Sequence, residues 1–415
     1  MHFEDHQLMV EGVVLADLAK THGTPLFVYS KACMLSALKS YQDGFKGRRA
    51  RVHYAMKANS SLAILQLFAK EGCGFDIVSM GELERVKAVG ADMALVIFSG
   101  VGKTRAEIQR ALSEGIMCFN VESIPELEVI NQVALELGKK APISVRVNPN
   151  VDAKTHPYIS TGLKDNKFGV AHEDTLKLYA HAKELPGIQI KGIDCHIGSQ
   201  ITTVGPYLDA MHKVLDLVDA IESLGIELSH IDFGGGLGIQ YQGEQPPSAQ
   251  SVWAALFEVL DQRGYGQRQI IVEPGRSLVG NAGICVSEVQ YLKPGEQKNF
   301  CIIDAAMNDL PRPAMYEAFH EILPLQLNDQ HPKVTYDVVG PICESGDWLG
   351  RDRSLNVQPG EYVAVLSAGA YCMSMSSNYN TRGRAPEVLV DGASSTLIRR
   401  RENTEDQIQF ERLVG

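Results

Sequence analysis

Short apolar runs rich in β-branched and aromatic residues recur along the chain, alternating with segments whose apolar positions return at helical spacing. Eight such runs fall at 52–56, 75–78, 94–98, 117–121, 143–147, 190–197, 228–233 and 269–272. The segments between them predict helices over 62–70, 82–89, 104–113, 125–137, 173–183, 207–223 and 251–262. Strands alternating with helices imply a parallel sheet.

An open doubly wound sheet and a closed barrel both satisfy that alternation. Eight strand units between residues 52 and 272 match the size of a (β/α)8 TIM barrel, which needs about 250 residues. After Ser277 the texture changes, with strands predicted at 284–292, 299–303, 334–339 and 362–366 and few helical stretches. The expected organisation is a barrel over 29–277 and a C-terminal, mostly β domain over 278–415. Residues 1–28, with candidate strands at 8–10 and 25–29, are expected to join the β domain.

Composition narrows the partners. A hydrophobic content of 45% supplies core material for two domains, and 39 basic against 50 acidic residues give a net charge of -11. That balance argues against a general nucleic-acid or anionic-membrane binder and leaves room for a local basic pocket. The eight cysteines are widely spaced, with no metal-knuckle pattern and no secretory leader before them, so they read as reduced thiols. A cytoplasmic protein acting on a small molecule is expected, and no metal site is read from the sequence.

Barrel enzymes place their chemistry at the C-terminal ends of the strands, and the marked residues fall at those ends. Lys57 follows strand one, Asp76 and Ser79 lie at strand two, Arg146 and Asn148 at strand five, His196 at strand six, and Glu273 with Gly275 and Arg276 after strand eight. A lone lysine is ordinarily solvated with a pKa of about 10.4, but one held among apolar neighbours is tuned down and attacks a carbonyl. Gly234, Gly235 and Gly236 follow strand seven, where backbone amides bind phosphate in this architecture. The same glycines also fit a tight turn or a degenerate dinucleotide fingerprint. A phosphate-bearing cofactor with a carbonyl for Lys57 points to pyridoxal 5'-phosphate, with Glu273 as the carboxylate at its ring nitrogen. His196, near Ser199, reads as a flat partner for the ring or as a satisfied core residue.

The β domain carries Cys343 beside Glu344 in a turn, and a thiol of ordinary pKa, about 8.5, donates a proton at neutral pH. Arg312 and Tyr316, four apart, share a face if that segment is helical. With Arg276 they suit a carboxylate, while Tyr371 either adds a hydroxyl to the same pocket or packs in a strand.

These residues resemble the diaminopimelate decarboxylases, within the barrel class of pyridoxal phosphate enzymes that includes ornithine and arginine decarboxylases and alanine racemase. The likeness rests on the lysine segment His53 to Asn59, on 152–162, on Asn166 to Gly169, on Cys195 to Gln200, on the glycine cluster, on Glu273 to Arg276, and on Arg312, Cys343 to Gly346 and Tyr371. It implies Lys57 as the Schiff-base lysine, His196 stacked on the ring and Glu273 at the ring nitrogen, with Asp76 in the cofactor site. Phosphate would be held by Ser199, Gly234 to Gly236, Gly275, Arg276 and Tyr371. Arg276, Arg312 and Tyr316 would bind the distal carboxylate and Glu344 the distal ammonium, with Cys343 as proton donor. A homodimer with shared sites is implied, Cys343 and Glu344 reaching the site of the other subunit. Met80, where relatives commonly have glycine, bears on the pocket width near strand two.

The expected activity is pyridoxal phosphate-dependent decarboxylation of meso-diaminopimelate to L-lysine and carbon dioxide. Two alternatives are a decarboxylase of the same class acting on ornithine, lysine or arginine, and a non-catalytic decarboxylase-like binding protein. The long interval at 148–170 is expected to act as a lid or binding loop.

Overall fold

A computed structural model of the chain describes residues 1–151, 167–328 and 331–414. It divides into two compact units, one of Ala37–Ile239 and Gln245–Ser277, the other of Met1–Ser36, Gln240–Glu244 and Leu278–Gly415.

The barrel of the first unit is formed by eight strands: β1 (Ala50–Ala55), β2 (Gly74–Ile77), β3 (Val96–Phe98), β4 (Cys118–Val121), β5 (Ala141–Asn148), β6 (Ile188–Cys195), β7 (His230–Asp232) and β8 (Gln269–Val272), with the two-residue strand Val170–Ala171 added in parallel beside β5. Each pairs in parallel with the next, and β8 pairs back onto β1 with Ile270 opposite Ala50 and Val272 opposite Val52. The sheet is therefore closed, which removes both edges and settles the choice between barrel and open sheet. Side chains alternate along each strand. In β1 the Tyr54 ring packs outward on Phe68 of helix Leu62–Lys70 with centroids 4.6 Å apart, which turns His53 and Ala55 inward.

The helices start where the sequence offers caps. Ser79 accepts from the Glu82 amide to open Met80–Ala88, and Thr104 with Glu107 forms a full capping box at Arg105–Glu114. Ser123 accepts from Glu126 ahead of Ile124–Glu136, whose Pro125 lies in the first turn. Each cap contributes about 1 kcal/mol and sets where the chain leaves the strand loop.

In the second unit a sheet runs in the order 348–355, 334–339, 299–303, 283–293, 26–30, 387–391, 394–399. Strand Leu26–Ser30 lies between Gly283–Lys293, antiparallel to it, and Glu387–Asp391, parallel to it. Leu26, Val28, Ile284, Val286, Ala364, Val388 and Val390 join Leu8, Val10 and Leu15 in one buried cluster. Full burial of a side chain of this size contributes about 1.5–3 kcal/mol. Strands Trp348–Leu355, Glu387–Asp391 and Ser394–Arg399 were not among the sequence-predicted ones; charged and hydroxyl residues fill most exposed positions of the first and last, while Glu387–Asp391 is short, mostly buried and bounded by acids.

All eight cysteines are free thiols, and Cys343 is exposed. Among the described residues no helix is long and apolar enough to cross a membrane. The motif at 152–162, Asn166 and most of the expected lid at 148–170 lie outside the described residues.

Candidate active site

The C-terminal ends of the barrel strands surround a cavity of about 340 Å³ lined by Lys57, Asp76, Val78, Ser99, Gly100, Val101, Arg146, Phe168, His196 and Glu273. Lys57 sits in the single turn Met56–Ala58 that ends β1, so its side chain leaves the strand at the mouth. Its Nζ donates to Asp76 Oδ2 at 2.8 Å; the Asp76 side chain is fully buried and that of Lys57 is 38% exposed. Asp76 thus anchors the amine at the wall of the cavity.

Glu273 follows β8 directly and is buried, with Oε1 lacking a hydrogen-bond partner among the described residues. Carboxylate oxygens of Asp194, Asp232 and Glu273 lie within 4.8 Å of one another. Burial first, and then the neighbouring acids Asp232, Asp76 and Asp194, push the Glu273 carboxyl well above the usual carboxylate range. Asp232 is pushed the same way by burial and by Asp194. Three buried acids at such spacing do not all ionise; they retain protons until a cation arrives. A protonated ring nitrogen placed beside Glu273 would be such a cation.

His196 follows β6, and its Nδ1 accepts from the Gly235 amide at 3.2 Å. Burial, followed by the positive charges of Arg146 and Lys57, pushes the imidazole well below its ordinary pKa. The imidazole is therefore favoured in its neutral form where it lines the cavity.

The glycine run is required by close approach. A Cβ on Gly235 would lie 2.2 Å from the Glu273 carbonyl oxygen, one on Gly234 2.6 Å from Cys195 O, and one on Gly236 2.5 Å from Gly198 O. Gly234 and Gly236 also have φ of +62° and +100°. Asp232 Oδ1 accepts the Gly234 amide at 2.8 Å, tying the loop to the strand before it. Ser199 Oγ accepts from Arg276 Nε and Nη2 at 3.3 and 3.1 Å, and Arg276 opens the short helix after β8 with Gly275 just before it. The glycine cradle, which excludes any Cβ, and the orphaned oxygen of Glu273 fit a ring cofactor carrying a phosphate.

Several residues of this wall had no role in the sequence reading. Glu122 Oε1 accepts from Gly100 N at 3.1 Å and Arg146 Nη1 at 3.0 Å, and its Oε2 accepts from Gly169 N at 2.7 Å. One carboxylate thus joins the loops after β3 and β5 and holds Arg146, whose guanidinium lies 4.8 Å from the Phe168 ring centroid. The signal available for Glu122, Asp194 and Asp232 was a charge next to or inside an apolar run. Met80 does not line the cavity; it opens a helix, and its amide donates to Glu107 at 3.0 Å.

The remaining candidates lie in the β unit. Arg312 and Tyr316 occupy the first and last positions of the helical turn Arg312–Tyr316, so the segment is helical. Glu344 is exposed and accepts from the Tyr379 hydroxyl, and Tyr371 takes φ of +56°.

A closed parallel barrel with a lysine, a buried acid and a glycine cradle at one mouth defines an enzyme of the pyridoxal-dependent decarboxylase class, and residues 32–280 match the family described as pyridoxal-dependent decarboxylase, pyridoxal binding domain. The chain is 52% identical to a diaminopimelate decarboxylase of Pseudomonas aeruginosa over 412 residues, covering 99% of this chain and 98% of that protein. It is 52% identical to one of Neisseria meningitidis over 404 residues, covering 97% of each. The chain belongs to the diaminopimelate decarboxylase family. Among solved structures, the M. jannaschii enzyme in co-complex with L-lysine superposes with a TM-score of 0.95 at 39% identity, covering 100% of this chain and 98% of that one. The Helicobacter pylori enzyme complexed with L-lysine gives 0.91 at 40% identity, covering 96% and 99%.

Proposed function

We propose that this chain is a diaminopimelate decarboxylase, releasing carbon dioxide from meso-diaminopimelate to leave L-lysine, the last step of lysine synthesis. The observation that carries the reading is the near-full-length identity with enzymes of that name.

Pyridoxal 5'-phosphate supplies an electron-accepting ring that takes up the electron pair left when the carboxylate departs. Every other part of the chemistry falls to the chain. Lys57 would hold the cofactor through its amine, and Asp76 would keep that amine in place. Glu273 would hold the ring nitrogen protonated, and the buried acids Asp194 and Asp232 lie beside it. His196 covers the ring face. Ser199, the amides of Gly234 to Gly236, Gly275 and Arg276, and the Tyr371 hydroxyl bind the phosphate. Arg276, Arg312 and Tyr316 take the distal carboxylate and Glu344 the distal ammonium. The Cys343 thiol gives its proton to the carbon that has lost carbon dioxide.

In this reading the protein is a homodimer in which Cys343 and Glu344 serve the other subunit's barrel, and both are exposed on the protomer. Eight free thiols suit a reducing compartment, so we place the enzyme in the cytoplasm.

The test is carbon dioxide release from meso-diaminopimelate by purified protein with and without added pyridoxal 5'-phosphate. Release that depends on the cofactor is expected. Equal turnover of ornithine would overturn the substrate assignment, because ornithine leaves the buried Arg312 without its carboxylate, at a cost of about 1–3 kcal/mol.

A further inference from the structure

The Arg312 guanidinium is held on two sides within the β unit. Nη1 lies 2.8 Å from Nε2 of His320, and the guanidinium carbon lies 4.6 Å from the centroid of the Tyr241 ring. The two holding rings are fitted to each other, meeting edge to face with centroids 5.3 Å apart at 75°. Arg312 is buried, and its Nε has no partner among the described residues.

Donor chemistry fixes the state of His320. A guanidinium only donates, so Nε2 accepts; a carbonyl only accepts, so Nδ1 donates to Leu366 O, 2.8 Å away. One form satisfies both contacts, the neutral imidazole with its hydrogen on Nδ1. The ring is fully buried, and its own carbonyl accepts from Arg353 Nη2 at 3.2 Å. Arg353 in turn lies over the Phe319 ring at 3.9 Å, so both the side chain and the backbone of His320 are fastened.

The choice of partner has a chemical consequence. A carboxylate in place of His320 would orient Arg312 equally well but would neutralise it and compete with an incoming anion. A neutral acceptor fixes the guanidinium plane and leaves its full charge for a ligand.

We infer that His320 is a positioning residue, seating the Arg312 fork on the Tyr241 ring so that it receives the carboxylate the reaction does not remove. The inference rests on the assignment of Arg312 to that carboxylate. It extends specificity to a residue that never touches substrate.

The test uses the holoenzyme and two competitive probes. L-lysine keeps the carboxylate in question, and 1,5-diaminopentane has none. In His320→Leu, the KM for meso-diaminopimelate and the Ki for L-lysine are expected to rise together about tenfold, with kcat within about threefold and the diaminopentane Ki unchanged. His320→Gln, which both accepts and donates, is expected to recover most of the loss. Should His320→Leu fail to fold, as judged by thermal midpoint and cofactor absorbance, Tyr241→Leu removes the supporting ring and carries the same expectation. Equal weakening of both probes would overturn the inference, since that is what general disruption produces. If Arg312→Leu loses L-lysine while His320→Leu keeps it, the positioning role falls and the Arg312 assignment stands. If Arg312→Leu leaves both KM and the L-lysine Ki unchanged, both fall.

Discussion

Lys57 Nζ donates to Asp76 Oδ2 across adjacent strands β1 and β2, and the pair places a half-exposed amine against a fully buried carboxylate. The asymmetry matters because the buried carboxylate is fixed by the barrel while the lysine side chain is partly exposed at the cavity.

Replacing the carboxylate tests that arrangement. Asp76→Asn is expected to keep the fold and slow the growth of yellow absorbance on adding pyridoxal 5'-phosphate by about tenfold, the loss of one charge-assisted hydrogen bond. Stopped-flow absorbance measures it, and an unchanged rate would remove Asp76 from the positioning of Lys57.

Replacing the amine is more severe. Lys57→Ala is expected to fold with an unchanged circular dichroism spectrum, to lose the yellow absorbance of bound cofactor, and to lose decarboxylation by more than about a thousandfold. Carbon dioxide release at the parental rate would refute the mechanism.

The proposed proton donor, Cys343, is tested by separating binding from turnover. Cys343→Ala is expected to bind cofactor as tightly as the parent and to turn over about a hundredfold more slowly, within the range of general-acid contributions. Unchanged kcat removes Cys343 from its role. Because the thiol is exposed on the protomer, mixing Cys343→Ala with Lys57→Ala protein also tests sharing between subunits: a homodimer with shared sites regains part of the activity.

The barrel interior carries its own pH dependence. His53 and His230 are buried, with both His53 nitrogens and His230 Nε2 unpartnered among the described residues. Burial, with smaller contributions from Arg51 and His230, lowers the pKa of His53 to about 3; burial, with Lys191, lowers that of His230 to about 4. The unfolded chain takes up these protons below a pKa of about 6.5 while the folded chain does not, so both contribute stability that is present above pH 6.5 and lost as pH falls. Removing one titration, His53→Leu gains on the parent by about 1.4 kcal/mol for each pH unit below 6.5, about 2 kcal/mol by pH 5. Thermal midpoints of the two proteins at pH 8 and pH 5 measure the difference. A gap that does not widen on acidification would mean that His53 is protonated in the folded state.

Much of the fold was legible because barrel strands are buried on both faces and read as short apolar runs. Helix Leu62–Lys70 and strands Asn299–Ile303 and Val334–Val339 fall at their sequence-predicted bounds, and the barrel strands within a few residues of theirs. Ser394–Arg399 was invisible because its side chains are mostly exposed and polar, so periodicity had nothing to register. At the site, Lys57, Asp76, His196 and Glu273 stood out as polar residues at the ends of apolar runs, and the structure gathers all four around one cavity. Val78, Ser99, Gly100, Val101 and Phe168 complete the wall from loops, where no pattern distinguishes a lining residue from a connector. His320 was equally hidden. It meets Arg312 across a turn whose Glu317 has φ of +51°, a contact that depends on backbone geometry and not on spacing.

Strand Leu26–Ser30 is synthesised early, yet both of its neighbours, Gly283–Lys293 and Glu387–Asp391, emerge much later. The barrel strands all lie between Ala50 and Val272, so that sheet closes from contiguous chain while the early strand waits with unpaired edges. The barrel strands can therefore pair among themselves as soon as the chain reaches Val272, whereas the second unit needs residues from both chain ends before its central strand finds its neighbours.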